Sequence, residues 1–120
     1  MKVIKVNQVS EEKIESPLFT PGVVTTQSFL KPPESDIELM MVNFGKGVRN
    51  KFHAHTTYQI LIITGGKGWV ATDKEKILVE SGDVVLFPAG EKHWHGATAD
   101  SEFSHLFVRL PGSETTQLEE

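Results

Sequence analysis

Cysteine is absent from this 120-residue chain, which excludes thiol nucleophiles, thiolate metal ligands and disulfide staples in one step. Long apolar runs are missing too. The strongest, Ile60-Leu61-Ile62-Ile63, falls far short of the about 20 residues a spanning helix needs, and Met1 to Asn7 lacks the apolar stretch of a signal peptide. Positive charge is scarce: 12 Lys and Arg against 16 Asp and Glu give a net charge of -4. The basic residues do not cluster, so nothing here is an electrostatic footprint for nucleic acid. These absences describe a soluble, cytoplasmic protein that meets neither nucleic acid nor membrane and whose natural partner is a small molecule.

What is present suits one domain. At this length roughly two-thirds of the unfolded chain's surface is buried on folding, enough for a sizeable core. Apolar residues make up 38% of the chain, as in ordinary globular proteins. No helical periodicity, repeat or linker interrupts it.

Read along its length, the chain is a series of short β-like runs punctuated by glycine and proline. Met1 to Val9 alternates like an edge strand, Ser10 to Lys13 suggests a helical turn, and Val23 to Leu30 is β-branched and strand-like. Residues 1–36 are expected to pack on a barrel formed by residues 37–110. Within that barrel the expected strands are Ile37 to Phe44, Val48 to His55, Tyr58 to Thr64, Trp69 to Thr72, Lys76 to Val79, Val84 to Phe87, His93 to Ala97 and Phe103 to Leu110. Gly65-Gly66-Lys67-Gly68 reads as a break and hairpin turn; it lacks the Lys-Ser/Thr ending of a phosphate loop. Residues 111–120 read as a flexible tail. Short strands at intervals of about 8 to 12 residues predict an all-β sandwich or barrel.

The chemistry concentrates in two places. His53 and His55 stand one residue apart, and on a strand such residues share a face with Cα atoms roughly 7 Å apart, a spacing that suits two imidazoles on one metal ion. A turn at Thr56-Thr57 lets Gln59 face His55 from the next strand, and the rigid Pro88-Ala89-Gly90 turn can bring in His93. Three imidazoles and an amide oxygen form a nitrogen-rich site for a divalent transition metal, with room left for water or substrate.

Gly47-(five residues)-His53-x-His55-(three)-Gln59-(six)-Gly66 resembles the first motif of the cupin superfamily, and Gly82-(five)-Pro88-x-Gly90-(two)-His93 resembles the second. Together they fall between residues 47 and 93. The resemblance implies a cupin jelly-roll β-barrel with a metal in its mouth, held by His53, His55, Gln59 and His93. The chain departs from the usual pattern at Gln59, where glutamate is customary, and at Ala97, where asparagine is. The segment Glu91 to Ala97 followed by Ser104-His105-Leu106 is similar to small single-domain bacterial cupins that carry the same glutamine, a subgroup that includes manganese hydroxynitrile lyases. There the histidine matching His105 lies in the pocket.

A neutral amide in place of a carboxylate leaves a bound ion its full charge, which favours an anionic or carbonyl ligand and Lewis-acid chemistry. Manganese is the metal the resemblance favours, with iron, zinc or nickel as alternatives. His95 shares the face of His93, and His105 lies in an apolar wall between Phe103 and Phe107; both are candidates for proton transfer as well as for plain core histidines. Met40 and Val42 are expected along the cavity, whereas Trp94, of opposite parity to His93, should point away from it. Three functions remain open: a lyase using the metal as Lewis acid, an iron-dependent dioxygenase, and a metabolite-binding or sensing module. The resemblance also implies a homodimer, for which Lys2 to Val9 and Val23 to Leu30 offer strand edges.

Overall fold

The computed structural model describes residues 1–120, and it is built from strands, with a single 3₁₀ turn at Val6–Gln8. Ten strands follow in order: β1 Glu12–Lys13, β2 Val24–Leu30, β3 Glu38–Phe44, β4 His53–His55, β5 Gln59–Thr72, β6 Lys76–Glu80, β7 Val84–Phe87, β8 His93–Ala97, β9 Phe103–Arg109 and β10 Thr115–Gln117. All pairings are antiparallel, and they curl into two facing layers. One layer runs β1-β2-β3-β9-β5-β7; the other runs β6-β5-β8-β4-β10. No helix is long and apolar enough to cross a membrane.

β5 belongs to both layers, and this makes the barrel. Gln59 to Gly66 pairs with β9, whereas Gly68 to Thr72 pairs with β8. The glycine run between them is therefore the corner of one continuous 14-residue strand and not the hairpin turn its composition suggests. Gly66 has φ +69°, and a Cβ there would collide with the carbonyl of Glu102. A Cβ on Gly68 would lie 2.5 Å from the Phe103 ring. Glycine at these points lets the strand bend over its neighbour.

Inward positions alternate along each strand, as period two requires. Leu61 and Ile63 of β5, Val42 and Phe44 of β3, Phe103 and Phe107 of β9 and Phe87 of β7 join one buried cluster beneath the mouth of the barrel. Trp94 and Trp69 face outward, where Arg49 lies 4.7 Å from the first ring and Lys76 lies 4.3 Å from the second.

Both ends of the chain differ from expectation. Met1 to Val9 forms no strand; the Val6 and Val9 carbonyls accept from Gln27 Nε2, so this segment wraps over the outside of β2. Ser10 to Lys13 is extended into β1 and not helical. β2 is paired with β3 from Val24 to Leu30, which joins the amino-terminal segment to the layer. The residues read as a fraying tail contain β10, which pairs with β4 at Thr115↔His55, Thr116↔Ala54 and Gln117↔His53. Glu119 then accepts from the Phe52 amide and, through both oxygens, from Arg49.

β8 also passes close to the loop entering β4. Gly96 bridges to Arg49, and a Cβ on it would collide with the Arg49 backbone and lie 2.6 Å from the Val48 carbonyl. Gly96→Ala is expected to lower stability by about 1–3 kcal/mol, read as a fall in the urea midpoint. Gly65→Ala, whose Cβ would meet only Ser104 at 3.8 Å, is expected to leave the midpoint nearly unchanged.

Candidate metal centre

The strand alternation that builds the core also turns five imidazoles inward. β4 contributes His53 and His55, β8 contributes His93 and His95, and β9 contributes His105; all five are buried. His53 and His93 are register partners on adjacent strands. Their ring centroids lie 4.4 Å apart, with His55 at 4.9 Å from His53 and 5.4 Å from His93. Ligand atoms of His53, His55 and His93 all fall within 4.8 Å of one another, a cluster able to hold a metal ion. Gln59, inward on the first position of β5, shares a cavity wall with His53 and His55.

The far edge of each ring is anchored. His53 Nδ1 lies 2.6 Å from the Lys51 carbonyl and His93 Nδ1 lies 2.8 Å from that of Glu91. Carbonyls only accept, so both rings carry their proton on Nδ1 and turn an Nε2 lone pair into the cavity. His55 Nδ1 lies 2.8 Å from Thr115 Oγ1. On the cavity side, His55 Nε2, His93 Nε2 and Gln59 Oε1 are buried and have no hydrogen-bond partner in the protein. Each such atom costs about 1–3 kcal/mol if left unpaired. Nitrogen and amide-oxygen donors converging in this way fit a divalent transition metal, and outward Nδ1–H bonds are the usual support of histidine ligands.

Burial is what chiefly keeps these rings neutral. Desolvation is the main cause in every case: it lowers His53, takes His93 to about 4, and, with the His53 and His93 rings adding to it, takes His55 to about 3. His95 is pushed well below its ordinary value by burial and by His105, and His105 falls to about 4 through burial.

His95 and His105 take different places. His95 lines the cavity; His105 is completely buried behind it and is not part of the wall. His105 Nδ1 faces the Leu106 carbonyl at 3.3 Å, which leaves its Nε2 to accept, and His95 Nδ1 lies 3.1 Å away to donate. That order leaves the His95 Nε2 lone pair free. Asn50 holds the strand from the other side: its Oδ1 accepts from the His95 amide at 2.8 Å. Its Nδ2 sits 3.0 Å from Nε2 and 3.4 Å from Nδ1 of the same ring, so the amide rests over the ring face and does not cap the Nε2 lone pair.

The cavity encloses about 90 Å³. Leu18 and Phe19, from the loop ahead of β2, cover it; Val42, Phe44 and Phe107 form its apolar floor, and Arg109 is the one charged residue in its wall. Met40 packs against the core and stays outside the wall. Asn50, Thr115 and Arg109 were not singled out from the sequence, because their roles depend on register between distant strands. A larger groove, about 500 Å³ between β6 and β7, has no histidine in its wall, so the chemistry belongs to the smaller cavity.

An antiparallel jelly-roll barrel with a histidine cluster in its mouth defines the cupin class. The sequence model of the AraC-like ligand binding domain matches residues 45–119. The chain is 33% identical to an (R)-mandelonitrile lyase of Granulicella tundricola over 99% of its own length and 93% of that protein. A cupin-like protein from Thermotoga maritima superposes with a TM-score of 0.83 at 30% identity, covering 90% of this chain and 84% of that one. A polyketide cyclase from Streptomyces resistomycificus gives 0.82 at 18% identity, over 100% of this chain and 88% of its own. The chain belongs to the AraC-like ligand-binding family and is a small cupin.

Because the folded pKa values lie below the ordinary 6.5, the unfolded state binds more protons between the two, and stability falls as pH drops through that window. Metal-free protein is expected to lose on the order of 3 kcal/mol from His105 alone between pH 6.5 and about 4. Urea titrations across pH 7 to 4 check this, with His105→Gln reducing the slope.

Proposed function

We propose that this protein is a metal-dependent lyase that cleaves small cyanohydrins, and that it works in the cytoplasm. The observation that carries the reading is the set of unpaired His55 Nε2, His93 Nε2 and Gln59 Oε1 atoms beside a cavity whose wall holds no carboxylate. The similarity to an (R)-mandelonitrile lyase along nearly the whole chain supports it. His53, His55, His93 and Gln59 would hold a divalent ion, manganese first and iron, zinc or nickel as alternatives, supplying positive charge to the oxygen and nitrile of a bound cyanohydrin.

The residues of the chain do the rest. His95 Nε2 accepts the hydroxyl proton of the substrate, while Nδ1–H, bonded to His105, keeps the ring in the required tautomer. The O–H electron pair becomes the second bond of the carbonyl as the bond to the nitrile carbon breaks with its pair. His95 returns the proton to the departing cyanide, so aldehyde or ketone and hydrogen cyanide leave with all atoms balanced. Leu18, Phe19 and Phe107 exclude water from the reacting carbon. A cavity of about 90 Å³ is far smaller than drug-sized sites and selects small substrates.

A second reading, a metabolite-binding or sensing module, is favoured by one finding: the matching family is described as a ligand-binding domain. An iron-dependent dioxygenase would draw on the same three histidines. Protein purified without chelator is expected to carry stoichiometric metal, to lose it on His53→Ala, and to release cyanide from mandelonitrile under argon. His95→Ala is expected to lower kcat by about 10²–10⁴. Oxygen uptake that follows added iron would instead make it a dioxygenase, and tight ligand binding without turnover would make it a sensor.

We also propose a homodimer, through a face other than the strand edges expected from the sequence. Leu86, Ile60, Val108 and Leu39 form one cross-strand row on the outer side of β7, β5, β9 and β3; Val84, Ile62 and Leu106 form the next. Val84 is 67% exposed and Leu86 54%, an apolar sheet face of the kind that covers itself with a second copy. Ile62→Lys combined with Val84→Lys is expected to give a folded monomer in analytical ultracentrifugation.

A further inference from the structure

We infer that Thr115 is a positioning residue for His55, so that the carboxy-terminal strand completes the metal centre. The inference rests on the metal-binding reading above. Two of the three histidines have their tautomer imposed by carbonyls, Lys51 for His53 and Glu91 for His93. The third has a hydroxyl instead, at 2.8 Å from His55 Nδ1. A hydroxyl both donates and accepts, so by itself it fixes neither the tautomer nor the ring.

What fixes it is a second contact. Arg109 Nη1 donates to the same Thr115 Oγ1 at 3.2 Å, while Arg109 Nε and Nη2 are held by Glu38 Oε2 at 3.2 and 2.8 Å. Guanidinium can only donate, so it occupies one lone pair of the hydroxyl oxygen and pins its position. Thr115 is exposed on its outer side, where water can take the hydroxyl proton. The remaining lone pair then faces His55, which carries its proton on Nδ1 and keeps Nε2 open toward the cavity. The backbone supports this arrangement independently of the side chain: Thr115 is the register partner of His55, and Glu114 and Thr56 exchange hydrogen bonds one step further on.

The test uses Thr115→Val, which keeps the shape and deletes the hydroxyl, and Thr115→Ser, which restores it. Manganese titration followed by electron paramagnetic resonance should show affinity reduced about 10–100-fold in Thr115→Val and near wild type in Thr115→Ser. Imidazole ¹⁵N shifts of the metal-free proteins should place the His55 proton on Nδ1 in wild type and Thr115→Ser, and divide it between the two nitrogens in Thr115→Val. A purely structural role would lower the melting temperature of Thr115→Val and leave the tautomer unmoved. An unchanged His55 tautomer together with unchanged manganese affinity overturns the inference. Absence of manganese binding in wild type would sink the metal reading, while the ¹⁵N shifts would still decide the part played by Thr115.

Discussion

The constraint on which this structure turns is the burial of imidazole without a counter-charge. Five histidines are buried close together in the barrel, and the cavity wall offers no carboxylate to balance a protonated ring. Desolvation therefore decides their state: each is neutral, with one nitrogen donating and the other presenting a lone pair. Once a ring is neutral, whichever nitrogen meets a fixed acceptor dictates what the opposite nitrogen can do. Backbone carbonyls two residues before His53 and His93 supply that acceptor from the segments leading into β4 and β8. The direction of the lone pairs is thus a property of local backbone geometry, set before any ligand arrives.

Much of this was legible in the chain. Period-two spacing placed His53 with His55 and His93 with His95 on shared faces, and the structure brings ligand atoms of His53, His55 and His93 within 4.8 Å of one another, with His53, His55 and Gln59 in the cavity wall. An all-β sandwich or barrel followed from the punctuation of short strands, and the resemblance to cupins narrowed it to a jelly roll. The parts that were not legible share a physical cause: they depend on pairing between distant segments. Gly65 to Gly68 has the composition of a turn, yet its neighbours β8 and β9 keep it extended as a corner. Residues 111–120 are polar enough to fray, yet main-chain bonds to β4 and the Glu119 carboxylate on Arg49 hold them, and those contacts keep the carboxyl below the usual carboxylate range. Polarity reported the absence of a core there and could not report a backbone partner.

The position of His105 shows how register refines a role. Its parity with Phe103 and Phe107 pointed inward, which is where it is, but inward along β9 means behind His95 and not onto the cavity. A group reached only through another ring is suited to fix a tautomer, not to meet substrate. The two histidines therefore form an ordered pair, with direction running from the Leu106 carbonyl through His105 to His95.

The same atoms that would bind a metal weaken the fold when they have none. His55 Nε2, His93 Nε2 and Gln59 Oε1 are withdrawn from water and given nothing in exchange, an arrangement natural proteins rarely tolerate. Replacing Gln59 by an apolar residue of similar size would remove one of these penalties, so packing alone gives no reason to keep it. A ligand that binds only the folded state repays the penalty through mass action, by RT ln(1 + [L]/Kd). Stability and site occupancy are then one equilibrium. The β10 strand belongs to that equilibrium as well, since it closes over β4 and reaches His55 through Thr115. A barrel of this size brings three histidines together from two neighbouring strands, with an outer strand paired along β4.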